Sequence, residues 1–271
     1  MKKQIRIDFS ILFFNILILN GAFSQNFTPA HPYSEPKVLQ DFLCSEVTYP
    51  DKALQEGTQG KVVLSFIVKK DGSITGVRIK ESAGAELDAE AKRLFGMLLW
   101  EPAISFGQPV DSENEFPINF NIKKYTKHCK ARGYTNTDYP FKPIDSSNVV
   151  FEYLEADKKP YPIFAEKGMN LTSFITRNIK YPEVAYKQSI SGKVTLQFVV
   201  ELQGRVSNIK VLVPVGGGCT QEAIRLLQMI KWMPGIKDDK AVRTLMKMDI
   251  DFKLPESSDV EMFENSQMNS N

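Results

Sequence analysis

The chain has 271 residues, enough for one large domain or two small ones that each bury a core. A formal net charge of +2 excludes the basic footprint of a nucleic-acid binder, and 42% hydrophobic residues exclude general disorder.

At the N-terminus, Lys2, Lys3 and Arg6 lead into an apolar run from Phe9 to Leu19, then a small-residue stretch from Asn20 to Gln25. This order reads as a signal peptide over residues 1–24, cut between Ser24 and Gln25. The run is interrupted by Asn15 and is shorter than the roughly 20 residues of a spanning helix, so an uncleaved inner-membrane anchor is the alternative. A short linker, 25–38, follows. Export implies an oxidising compartment, yet Cys44, Cys129 and Cys219 are odd in number and unlike in context, which argues against a disulfide framework. Cys219 falls where the first half has Leu87 and reads as a small buried hydrophobe.

From residue 39 onward the chain repeats itself. A shift of 132 residues aligns Tyr49 with Tyr181, Gly60 with Gly192, Gly72 with Gly204, Trp100 with Trp232 and Phe120 with Phe252, without a gap. A two-copy duplication of this length gives a pair of domains, 39–122 and 171–254, since a solenoid needs shorter and more numerous units.

Each copy opens on a short amphipathic helix (Leu39, Phe42, Leu43; Leu171, Phe174, Ile175). Tyr-Pro then begins a second short helix, which stops by Gly60 or Gly192. Alternation of Val62, Leu64, Phe66, Val68 with polar residues, and of Val194, Leu196, Phe198, Val200, predicts a strand with one buried face. Asp71-Gly72 and Gln203-Gly204 predict two-residue hairpin loops into a second antiparallel strand. The apolar parity of that strand shifts near Gly76 and Asn208, which predicts a bulge. A helix follows, with Ala91, Leu94, Phe95 and Leu98, or Ala223, Leu226, Leu227 and Ile230, on one face. It ends at Trp-x-Pro, where Trp100 and Trp232 read as core plugs.

The last element of the second copy alternates most regularly. Val242, Thr244, Met246, Met248, Ile250, Phe252 and Leu254 face one way, and a largely charged row faces the other. That is a strand of about 13 residues where 5 or 6 is usual, and nothing in the element order supplies it with a second neighbour. Its counterpart ends Phe116 to Ile122, with Pro117 removing a ladder donor. Between the copies, 123–170 reads as a polar linker with a basic cluster and one extra strand, Val149 to Leu154. The tail, 255–271, is acidic, lacks Lys and Arg, and reads as disordered.

Taken in order, the Tyr-Pro, the Gly-Lys-Val strand, the turn glycine, the Glu-Ala helix ending Trp-x-Pro and the final Ile-x-Phe strand resemble the TonB C-terminal domain family, twice over. The resemblance implies an α+β fold: two tandem small domains, each a three-stranded antiparallel sheet with helices packed on one face. It also implies a periplasmic protein that binds outer-membrane TonB-dependent transporters, pairing its last strand with an extended segment of the transporter in energy-coupled transport. Inner-membrane energy-coupling proteins are implied as further partners. Carried over by position, the partner-binding residues are Met246, Lys247, Met248, Asp249, Ile250 and Asp251, with Phe116, Ile118 and Asn119 in the first copy. An unpaired edge that accepts another backbone is the same mechanism reached from the residues.

Enzyme chemistry finds little support. His31 and His128 are the only histidines and both lie outside the repeats, so no His-based triad or zinc motif assembles within a domain. Gly216-Gly217-Gly218 lacks a phosphate-loop ending and reads as a connector, and Asp249 with Asp251 reads as a solvated face. No cofactor, metal or nucleic acid is implied. The competing class is a non-transducing periplasmic scaffold, and the discriminating feature is whether the final edge is open.

Overall fold

In a computed structural model of the chain, residues 26–135 and 139–254 are described. The leader, its Ser24–Gln25 junction and the acidic tail lie outside the described residues.

The first unit begins with two short arm strands, β1 (Phe27–Thr28) and β2 (His31–Pro32), then helices α1 (Pro36–Glu46) and α2 (Asp51–Glu56). β3 (Gly60–Val68) and β4 (Ile74–Glu81) form a hairpin, α3 (Ala85–Phe95) crosses it, and β5 (Trp100–Glu101), β6 (Ala103–Ser105), β7 (Gln108–Val110) and β8 (Ser112–Phe120) follow. β3 is central, in the antiparallel order β4-β3-β8. Its inward row, Val62, Leu64, Phe66 and Val68, packs against Leu87, Ala91, Leu94 and Phe95 of α3. Each large apolar side chain so covered contributes roughly 1.5–3 kcal/mol. Trp100 closes the end of this core, with its ring 4.8 Å from Phe66 and 5.7 Å from Phe116.

α4 (Ile122–Arg132) comes next, where the basic cluster was expected to be linker. Tyr125 is buried against Tyr49, and the Arg132 guanidinium donates to the carbonyls of Ser45 and Val47, so this helix belongs to the first unit. Beyond it lie β9 (Val150–Phe151), a 3-10 turn (Tyr153–Glu155) and β10 (Tyr161–Ile163). The second unit runs α5 (Leu171–Asn178), α6 (Glu183–Lys187), β11 (Gly192–Val200), β12 (Val206–Val213), α7 (Cys219–Met229), β13 (Lys231–Met233), β14 (Gly235–Lys237) and β15 (Lys240–Phe252).

Three strands per domain is an undercount. The second unit's sheet has five, ordered β12-β11-β15-β14 with β9 also on β15, and the first unit carries β1-β6-β7 and β2-β5 beside its main sheet. The arms are part of the duplication, but their period differs. Pro32 sits opposite Trp100 and Pro162 opposite Trp232; Thr28 sits opposite Ile104 and Lys158 opposite Ile236. Those arm positions are 130 residues apart, so a two-residue insertion between arm and core hides them from a gapless comparison.

The repeated motifs have local physical reasons. The buried Tyr49 hydroxyl donates to the Thr58 carbonyl at 2.6 Å, and Tyr181 to that of Ile190 at 2.5 Å, tying the Tyr-Pro corner to the chain beyond the second helix. Glu90 accepts from the Thr48 N–H and from Arg93; Glu222 accepts from the Lys180 N–H and from Arg225. The hairpin loops have three residues where two were expected. The Lys69 N–H donates to the Ser73 carbonyl and the Gly72 N–H to the Lys69 carbonyl, and Glu201, Gly204 and Arg205 repeat this. This is the turn-plus-bulge loop in which the last position is left-handed, with φ +83° at Gly72 and +79° at Gly204. A Cβ at Gly72 would also lie 2.7 Å from the Trp100 carbonyl oxygen, and one at Gly204 nearer still to that of Trp232. The bulge falls where the parity shift puts it, with φ +66° at Gly76 and +48° at Asn208.

The two units meet through β12. Asn208 accepts from the Leu99 N–H at 2.7 Å and donates to the Met97 carbonyl at 2.9 Å, and the Ile209 N–H donates to the Ser34 hydroxyl. Beside them Arg243 spans both units. It donates to both oxygens of Glu201, to the carbonyl of Met97 and to that of Asn148, each at 2.8 Å.

Candidate functional site

β15 is paired with β11 residue by residue from Thr244 to Phe252. Past the end of β11, β14 covers residues 240–242 on that same side; on the other side the Pro143–Asp145 segment bonds to Ala241, and β9, running parallel, covers Arg243 and Thr244. The element order therefore hid two partial neighbours. From Leu245 to Phe252 that side has no strand partner among the described residues. In the first unit β8 is paired with β3 from Ser112 to Phe120, and its other side has no strand partner among the described residues. β4 and β12 also end their sheets, but each is broken by its bulge, a device that bends an edge away from further pairing.

Which backbone groups face outward follows from the hairpins. In an antiparallel strand alternate residues turn both N–H and C=O to the same neighbour. Glu201 donates toward β12, so Val199, Gln197 and Thr195 also face β12, while Val200, Phe198, Leu196 and Val194 face β15. Their partners Thr244, Met246, Met248 and Ile250 are then used internally. Leu245, Lys247, Asp249 and Asp251 turn their N–H and C=O to open solvent.

Side chains sort the same way. Met248 and Ile250 are buried and Met246 packs on the rim of the core, so these three predicted residues hold the strand in place. Lys247, Asp249 and Asp251 are exposed. Asp249 accepts from the Thr195 hydroxyl at 2.8 Å and pairs with Lys193 at 3.3 Å. The Thr195 hydrogen bond first, then Lys193, holds its carboxyl below the usual range. In the first unit Phe116 packs on Phe95 and Trp100, Ile118 is buried and Asn119 is exposed.

The open stretch starts at a groove of about 350 Å³ where β9 leaves the edge, lined by Glu152, Tyr153, Leu245, Met246 and Lys247. Leu154, next in sequence to Tyr153, is 83% exposed. Glu152 and Tyr153 are the site residues that the sequence reading passed over. Their signal was the apolar run Val149 to Leu154, whose parallel seat on β15 involves residues more than ninety positions away in sequence. Among the described residues no group of three or more His, Cys, Asp or Glu is placed to hold a metal ion.

The family model described as "Gram-negative bacterial TonB protein C-terminal" matches the chain twice, over residues 45–122 and 177–254. Comparison with curated proteins finds no match. Among solved structures, the solution NMR structure of the Pseudomonas aeruginosa TonB C-terminal domain is similar at 18% identity, over 36% of this chain and 88% of that one, with a TM-score of 0.26.

Proposed function

The chain belongs to the TonB C-terminal family, and from that premise we propose that it is a periplasmic TonB-like protein that binds outer-membrane TonB-dependent transporters by strand addition, in energy-coupled transport. The observation that carries this is the open side of β15 from Leu245 to Phe252, held flat by a fully paired β11 behind it. An extended transporter segment would lie along Met246 to Asp251, taking backbone bonds from Lys247, Asp249 and Asp251. Phe116, Ile118 and Asn119 mark the corresponding edge in the first domain. Residues 1–24 act as the export signal, or as an inner-membrane anchor that brings inner-membrane energy-coupling proteins within reach. On this reading the chain is a binding protein and not an enzyme.

The test is a titration of the isotope-labelled chain with the N-terminal periplasmic segments of the host's outer-membrane transporters, followed at backbone amides by NMR. Shifts confined to residues 245–252 and their β11 partners are expected. No shift with any segment at millimolar concentration would overturn strand addition and leave the non-transducing scaffold.

A further inference from the structure

We infer that the two open edges are not equivalent: the second domain's edge is a complete ladder, and the first domain's is blocked in its middle, so each chain takes one extended segment, on β15. The inference rests on the strand-addition reading and settles which edge performs it.

The argument is one of hydrogen-bond phase. The Lys69 N–H donates toward β4, so by alternation Ile67, Ser65 and Val63 also face β4, and Val62, Leu64, Phe66 and Val68 face β8. The residues of β8 opposite Val63, Ser65 and Ile67 are Pro117, Glu115 and Glu113. These, with Asn119, turn away from β3 toward open solvent. Pro117 is thus tolerated inside a strand paired at every residue because its missing donor lies on the free side. An added strand would meet an N–H at Glu113, Glu115 and Asn119, but none at Pro117, and would bury one carbonyl oxygen of its own without a partner. Proline on an edge is an established means of refusing a further strand.

The equivalent row on β15, 132 positions later, is Leu245, Lys247, Asp249 and Asp251. Every member has its N–H. Proline is replaced by Asp249, and the two glutamates by Leu245 and Lys247, which line the groove beside Tyr153. β9 shows that this side accepts a strand, since Val150 and Phe151 already lie parallel along Arg243 and Thr244. The occupant is therefore an extended segment of a partner protein, long enough to run from the groove to Asp251. It carries no proline at the ladder positions and places an apolar side chain beside Tyr153 and Leu245.

The experiment exchanges the block. With the transporter segments above as probes, the wild-type chain is expected to bind one equivalent, with shifts on 245–252 and their β11 partners and none on 113–119. Asp249→Pro should weaken that site at least about tenfold, the effect of losing one buried ladder bond. Pro117→Asp should create a second equivalent, with shifts on 113–119. Pro117→Asp leaves every bond to β3 in place, so it carries the test should Asp249→Pro disturb folding, which the dispersion of the first domain's amides would reveal. Two equivalents on the wild-type chain, or undiminished binding on 113–119 in Asp249→Pro, would overturn the inference while leaving strand addition intact. An absence of shifts in all three proteins would overturn strand addition itself, and this inference with it.

Discussion

The same cross-strand ion pair is built twice, with its signs exchanged. Lys69 pairs with Asp111 in the first domain, and 132 residues later Glu201 pairs with Arg243. The first pair is on the surface, its side chains 40% and 43% exposed, whereas the second is sealed, at 0% and 3%. The backbone that places them is common to both, so geometry alone does not explain the exchange. What differs is the surroundings. The second pair lies where the carbonyls of Met97 and Asn148 converge on position 243, and both need donors. A guanidinium satisfies them and both Glu201 oxygens at once, which an ammonium cannot do in that planar arrangement. On the other strand, Glu201 accepts from the Ser207 hydroxyl. A surface ion pair of a single domain has become the fastener between two.

The largest expected effect breaks this comparison outright. Arg243→Ala leaves Glu201 buried and uncompensated and should destabilise the chain by about 3–5 kcal/mol, whereas Asp111→Ala, at a solvated pair, should cost far less. Urea unfolding of both variants checks it, and equal losses would mean that burial does not distinguish the two pairs.

A smaller effect is expected at the bulge. The first domain uses Gly76 and the second Asn208, and both hold a left-handed φ. Asn208 does so at little strain and adds three hydrogen bonds, two of them to the first domain. Asn208→Gly keeps the backbone and removes those bonds, so a loss of about 1–3 kcal/mol is expected in thermal unfolding. A neutral result would show that water replaces them.

The smallest effect concerns Glu46, which faces Glu201 across the junction and also contacts Gln203, with Arg205 at 3.8 Å. Burial, and next the Glu201 charge, holds its carboxyl above the ordinary value of 4.5. The folded chain therefore binds this proton more tightly than the unfolded chain. Its contribution to stability is full below pH 4.5 and is lost as pH rises through the folded value. Glu46→Gln should remove that decline, so the variant gains on the wild type from pH 4.5 upward in denaturation midpoints measured against pH. A constant offset at every pH would refute the assignment.

Much of each domain was legible because its determinants are local. Val62 to Val68 alternate with period two, Gly72 and Gly204 sit where only a left-handed residue closes the loop, and the parity slip at Gly76 and Asn208 marks the bulge. The arms escaped because the two-residue difference in spacing breaks the register of the repeat. α4 escaped because its composition is polar, and it is held by Arg132 reaching carbonyls of α1 about 85 residues earlier. That Lys247, Asp249 and Asp251 lie on the outer face was legible from their position along a regular strand. Glu152 and Tyr153 were not, because a two-residue parallel strand leaves almost no pattern.

By itself, then, the sequence determined that this chain is a duplicated α+β domain with a long, alternating last strand, since periodicity, turn glycines and a gapless repeat are constraints that neighbouring residues carry among themselves. Tertiary structure decided which part of that strand stays open and which ion pair is buried. Both depend on segments far apart in the chain, β9 against β15 within the second unit's sheet and Met97 against Arg243 between the units, whose meeting is set by tertiary packing and has no local signature.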